Sequence, residues 1–344
     1  MELTGEMGQG ELAASSGHRT IIPVMPEPAP HTSVVVCTRN RSSLLERACA
    51  AILAVDAPAG GWELVIVDNA SDDGSREVAE SLQRTAPQRI RLADERRVGL
   101  SAARNRGIAE ARGELIVFVD DDAFPARGWL VAITAAFDAD RVLGAGGPVE
   151  PLIEGELPLW FRGSYLPYLT VWDLGSEPCD LRYNEYPRGA NMAFRREAFD
   201  RFGGFSPHLG RSGKSLLSCE ETELCLRLER GGFRTVYAPL ARVGHTTPVD
   251  RLTPAWMERR FSAQGRSEAV IAWMHGGLHG LERGLVGHRR RVADARARQE
   301  AADDLDLRCH RRALGGYLRG MVTAPFGVPR YRPVDPAVTL SPWP

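Results

Sequence analysis

Three short runs of apolar, largely β-branched residues dominate the first third of the 344-residue chain, and each gives way abruptly to polar side chains. They are Val34-Val35-Val36-Cys37 before Thr38-Arg39-Asn40, Leu64-Val65-Ile66-Val67 before Asp68-Asn69, and Leu115-Ile116-Val117-Phe118-Val119 before Asp120-Asp121-Asp122. A run that is apolar at every position suits a strand covered on both faces. Segments with helical spacing separate the runs. Ser43 and Glu46 make a capping-box pattern at the head of a stripe of Leu44, Leu45, Ala48, Cys49 and Ile52. Ser75 opens a second helix carrying Val78 and Leu82. A third starts near Ser101, packs Ala103, Gly107, Ile108 and Ala111, and stops at Gly113. Strands alternating with helices require right-handed crossovers and a mainly parallel sheet flanked by helices. Ligands of such sheets collect at the carboxyl ends of the strands, which is where this chain places its polar residues.

Further along, a helix is predicted from about Glu220 to Arg230, ended by Gly231-Gly232, with a strand around residues 234–238. Thr253 caps another helix with Pro254 in its first position and Leu252 stapled onto Met257, and helices continue to about residue 320. Residues 1–31, rich in Gly, Ser, Glu and Pro without an apolar period, read as a disordered tail. Residues 32–250 form the α/β domain. Residues 251–344 form a helical C-terminal extension with an irregular, proline-rich end that includes Pro325-Phe326-Gly327.

Charge balance narrows the choice of partner. Lysine plus arginine number 43 against 44 acids, so no global field draws the chain onto nucleic acid, and contact with a membrane surface is not indicated. Lys214 is the sole lysine; a chain that uses arginine almost exclusively favours planar, bidentate contacts to phosphates and carboxylates. Cys37, Cys49, Cys179, Cys219, Cys225 and Cys309 are scattered, with no C-x-x-C pair, and read as reduced thiols. With no leader-like start and no long apolar span, the expected compartment is the cytoplasm.

Alternation along a strand turns Asp120 and Asp122 to one side and Asp121 to another. Three adjacent anions repel one another, and a hard cation, Mg2+ or Mn2+, would relieve that repulsion; solvated turn acids are the alternative reading. Phosphate loops are excluded. Gly213-Lys214-Ser215 has His208 where a P-loop needs its first glycine, and Gly144-Ala145-Gly146-Gly147 continues into an extended Pro148-Val149. A metal, not backbone amides, must then neutralise any diphosphate.

Taken in order, Val34 to Arg41, Val67-Asp68-Asn69-Ala70-Ser71-Asp72-Asp73-Gly74-Ser75, Gly99 to Gly107 and Asp120-Asp121-Asp122 resemble the successive blocks of family 2 glycosyltransferases with the Rossmann-like GT-A fold. Arg188-Gly189-Ala190-Asn191 and Cys219-Glu220-Glu221 resemble later blocks, so the likeness spans roughly residues 32–250. It implies transfer of a sugar from a nucleotide-diphosphate donor, foremost a UDP-sugar, to a carbohydrate, lipid-linked or small-molecule acceptor, with inversion. It further implies that Thr38, Arg39, Asp68 and Asn69 line the base pocket and that Arg104 and Asn105 support its wall. Asp120 and Asp121 would lie along the donor, Asp120 facing the ribose, and Asp122 would hold the metal. Asn69 stands where many relatives carry a second aspartate.

The acid at the start of the late helix is the candidate base. Glu220 and Glu221 occupy a helix N-terminus that favours ionised carboxylates; ordinary first-turn acids are the plainer reading. Relatives carry Gly-Glu-Asp in this block, so Cys219 replaces the glycine and Glu221 the aspartate. His245 lies where relatives place a histidine that reaches the metal or diphosphate, and Arg251, Arg259 and Arg260 are candidates to close over the donor. Two other activities share these features: sugar-phosphate nucleotidyl transfer and non-catalytic binding of a nucleotide sugar.

Overall fold

The first apolar run forms β1 (Thr32–Thr38) in the computed structural model, which describes residues 30–298 and 304–332. The segment read as a tail, apart from its last two residues, and everything beyond residue 332 lie outside the described residues. Next come α1 (Ser42–Leu53), β2 (Trp62–Asp68), α2 (Ser75–Thr85), β3 (Ile90–Asp94), α3 (Leu100–Glu110) and β4 (Leu115–Val119). Then follow β5 (Ala123–Pro125), α4 (Trp129–Ala135), β6 (Val142–Gly146), β7 (Val149–Ile153), β8 (Cys179–Asp180), β9 (Asn191–Arg195) and α5 (Arg196–Phe202). The chain continues through α6 (Glu220–Arg230), β10 (Arg234–Tyr237), β11 (Val243–Thr247), α7 (Pro254–Ala297) and α8 (Leu305–Gly327).

One sheet runs in the order β3-β2-β1-β4-β9-β6-β10-β8. β1 pairs parallel with β2 and β4, and β2 with β3, whereas β9 lies antiparallel between β4 and β6. Alternation divides the core as the apolar runs require. Val34, Val36, Leu64 and Ile66 face one cluster with Leu45 and Ile52 of α1, while Val35, Val65 and Phe118 face the other with Ala103 of α3 and Leu224 of α6. Each fully buried side chain of this kind contributes roughly 1.5–3 kcal/mol. Gly107 lets α3 lie directly on β1, because a Cβ there would collide with the Val35 side chain.

Several elements differ from the sequence reading. The helix α1 begins at Ser42 with Arg41 as its N-cap and no side-chain cap bond, so Ser43 and Glu46 do not form the capping box. Strand β3 was missed because Arg91 interrupts its apolar run. The helix α8 continues through Pro325 to Gly327 instead of ending irregularly, although Pro325 has no N–H to donate to the preceding turn. Thr253 does cap α7, accepting from the Trp256 amide, and Leu252 and Met257 share one cluster.

A second, three-stranded sheet, β5-β11-β7, sets up the site. It pairs His245 of β11 with Ala123, and the Thr246 amide donates to the Asp122 carbonyl at 2.9 Å, which fixes His245 beside the acidic tip. The α7 helix changes direction at Gly277 (φ 56°), and Trp256, Met257 and Phe261 of its first half pack on Tyr165 and Leu169. Trp160, Phe161, Tyr165 and Tyr168 pack into this aromatic cluster, and Trp172 lies edge-on to Tyr237. Helices α7 and α8 approach closely through Gly265 and Gly316, where a Cβ would overlap the Ala313 and Ser262 carbonyl groups respectively. Gly316→Ala is therefore expected to destabilise the protein by about 1–3 kcal/mol, read as a lower urea midpoint. An unchanged midpoint would show that the two helices separate without cost.

Candidate active site

The tips of β1 and β4 meet. Thr38 and Asp68 are register partners at the ends of β1 and β2, and Thr38 Oγ1 donates to Asp121 Oδ2 at 2.8 Å. Arg41 Nη1 donates to both Asp121 Oδ1 and Asp122 Oδ2, each at 2.8 Å. Asp121 thus turns back towards β1, while Asp120 and Asp122 converge with His245 so that one ligand atom from each lies within 4.8 Å of the others. His245 Nε2 is 3.2 Å from Asp122 Oδ1, and Arg251 is 3.6 Å from Asp122 Oδ2. Burial alone would raise the Asp122 pKa, but His245, Arg41 and Arg251 outweigh it and hold the carboxyl well below the usual range. For Asp121 burial prevails over Arg41, and with the charge of Asp122 it pushes the pKa up to about 6.

The chemistry of this donor set suits a hard divalent ion. Two carboxylates and an imbedded imidazole offer oxygen and nitrogen ligands, and the His245 Nδ1 atom is buried without a partner among the described residues. Asp120, Asp122 and His245 are therefore the residues that could hold Mg2+ or Mn2+.

A cavity of about 270 Å³ opens over this group, lined by Thr38, Arg39, Asn69, Asp120, Asp122 and Arg251, among others. Arg39 donates to the Asn69 carbonyl. Asn69 itself is a loop clamp: its Nδ2 donates to the carbonyls of Glu95 and Arg97, and its Oδ1 accepts from the Gly99 amide, each at 2.8 Å. An ionised aspartate has no donor for the first two bonds, which gives the asparagine a physical reason. Asp68, the buried register partner of Thr38, accepts at Oδ1 from the Ser71 amide at 3.2 Å.

A larger cavity, about 800 Å³, adjoins the first and shares Asp120, Leu100, Thr170 and Arg211 with it. Its wall contains the two acids of α6. Glu220 is paired with the buried Arg104, which also donates to Asp120 and the Gly189 carbonyl. Asn105 instead bonds the Phe205 backbone. Glu221 has a buried Oε2 without a partner. Burial, followed by the charge of Glu220, overcomes Arg104 and pushes the Glu221 pKa up to about 8. Cys219, at the N-cap of α6, has φ 71°, the left-handed conformation that glycine adopts freely and other residues rarely.

Of the residues singled out in the sequence, Thr38, Arg39, Asn69, Arg104, Asp120, Asp121, Asp122, His245, Glu220 and Glu221 line these two adjoining cavities. The sequence reading also singled out other residues, but it assigned no role to Arg41, Arg188 or Arg211. The near-exclusive use of arginine was the signal that could have found them, but only the fold shows which arginines face the site.

The sequence model of Glycosyl transferase family 2 matches residues 33–203. A glucosyl-dolichyl phosphate glucuronosyltransferase of Haloferax volcanii is 28% identical over 250 residues, covering 70% of this chain and 76% of that protein. The succinoglycan biosynthesis protein ExoM of Rhizobium meliloti is 27% identical over 253 residues, covering 72% and 77%. Among solved structures, the mannosyltransferase PcManGT of Pyrobaculum calidifontis, in complex with GDP-Man and Mn2+, superposes with a TM-score of 0.56 at 20% identity, covering 86% of this chain and 88% of that one. GalNAc-T7 with UDP, GalNAc and Mn2+ gives 0.55 at 15% identity, covering 88% and 58%. The ordered blocks, the sheet with its acidic strand tip and these likenesses agree: the chain is a glycosyltransferase of family 2 with the GT-A fold.

Proposed function

We propose that this glycosyltransferase uses a nucleotide-diphosphate sugar, a UDP-sugar first among candidates, bound in the smaller cavity, and transfers its sugar with inversion to an acceptor hydroxyl in the larger one. The observation that carries this reading is the adjacency of the two cavities across Asp120, with the Asp120-Asp122-His245 group on one side and Glu221 on the other. Thr38, Arg39 and Asn69 line the smaller cavity and would hold the base, and Asp120, at its edge, would accept from a ribose hydroxyl. A Mg2+ or Mn2+ ion held by Asp120, Asp122 and His245 would supply neutralisation of the diphosphate charge.

Glu221 removes the proton of the acceptor hydroxyl as its oxygen bonds the anomeric carbon. The bond from that carbon to the diphosphate oxygen breaks, and the electron pair leaves with the nucleotide diphosphate. Glu220 is held by Arg104 and keeps a second negative charge beside Glu221, which makes Glu221 a stronger base than an exposed carboxylate. Arg251 and Arg41 add positive charge beside the diphosphate.

Asp122→Asn is expected to remove the manganese-dependent thermal shift given by nucleotide diphosphates; a shift of undiminished size would remove Asp122 from the metal site. In Glu221→Gln, donor affinity should remain within about threefold while kcat falls at least about 100-fold. The pH profile supplies a separate check. Because the folded pKa of Glu221 is raised, its basic form accumulates only as pH rises, so kcat should climb through a midpoint near 8. A wild-type profile flat from pH 6 to 9 would exclude Glu221 as the base.

A further inference from the structure

The larger cavity has more positive charge than its own acids neutralise. Asp120 and Glu220 are taken by Arg104, and Glu268 by Arg291 and His288. Arg230 contacts His275. Four other guanidinium groups line the cavity without a carboxylate partner among the described residues: the exposed Arg283, and the more enclosed Arg188, Arg211 and Arg260. Arg260 is only 8% exposed; its Nη2 donates to Ser218 Oγ, while its Nε and Nη1 are buried without partners. Arg188 Nε is likewise buried and unpartnered.

An unpaired buried cation is costly, and a guanidinium fork is shaped for an oxyanion. Burial and the neighbouring Arg260 and Arg251 charges pull the Arg211 pKa down to about 10, and burial lowers that of Arg188. These arginines are not simply the donor's clamp. Arg188 and Arg260 border the larger cavity and not the smaller, which has Arg39, Arg41 and Arg251 of its own. Arg211 stands where the two cavities join.

We propose that the acceptor is a phosphate ester, and that Arg188 and Arg260, with Arg211 at the junction, hold its phosphate so that a hydroxyl of the same molecule reaches Glu221. This rests on the assignment of the larger cavity to the acceptor. Two or more converging forks match a multiply charged tetrahedral group better than a single carboxylate. The volume of about 800 Å³ leaves room for a sugar or the head of a prenyl chain beyond the phosphate.

Calorimetry on the full chain tests this. The donor cavity is first saturated with Mn2+ and UDP, the nucleotide diphosphate of the foremost donor candidate. Failure of that step would overturn the donor reading, independently of the acceptor proposal. Into the loaded protein are titrated glucose 1-phosphate and 12-hydroxyfarnesyl phosphate, each a phosphate ester with a free hydroxyl, with methyl glucoside and glucuronate as controls. Saturable binding of either phosphate ester, roughly 10- to 100-fold weaker in Arg260→Gln and Arg188→Gln but largely retained in Arg260→Lys, is the expected result. The two esters distinguish a sugar phosphate from a lipid phosphate. Nucleotide affinity serves as the folding control, and Arg188→Gln, at a less buried position, carries the test if Arg260→Gln does not fold. Absence of binding by both esters, or equal binding of glucuronate or methyl glucoside, would overturn the proposal.

Discussion

The site depends on arginines that make a crowded acidic strand tip tolerable. Three consecutive carboxylates at the end of β4 repel one another, and burial of Asp121 and Asp122 removes most of the water that would screen them. Arg41 bridges Asp121 and Asp122, and Arg104 ties Asp120 to Glu220. Removing one partner from a buried pair of this kind costs about 3–5 kcal/mol, since the other charge is then left unsatisfied. Because Arg104 comes from α3 and Glu220 from α6, the same guanidinium also fixes the late helix against the strand tip.

That constraint separates two adjacent acids by role. Glu220 spends one oxygen on Arg104, and its remaining charge raises the proton affinity of Glu221. Glu221 gains no such partner and stays available to the larger cavity. Glu221 reaches the cavity wall from a helix start whose N-cap, Cys219, is left-handed.

The C-terminal helices complete the site. Arg260, Gln264 and Glu268 of α7 line the larger cavity, and Tyr168, which stacks on Phe261 with ring centroids 3.8 Å apart, contributes a polar-tipped aromatic wall. The larger cavity is therefore built partly from outside the segment matched by the family model, residues 33–203. Among the described residues no helix is long and apolar enough to cross a membrane.

The sequence alone determined the alternation of strands and helices, the polar strand tips and the identity of the acids, because uninterrupted apolar runs and helix signals are local properties. It also located Thr253 and the start of α6, where neighbouring residues suffice. It did not reveal β9, whose Asn191-Met192-Ala193-Phe194-Arg195 is too short to distinguish from a buried helical turn, nor its antiparallel place between β4 and β6. It could not tell that Asn69 clamps a loop or that Glu220 and Glu221 differ in partner. Those outcomes depend on contacts between residues 26 to more than 100 positions apart, such as Asn69 with Glu95 and Arg104 with Glu220. Burial and long-range charge set them, and neither is written in any local stretch of the chain.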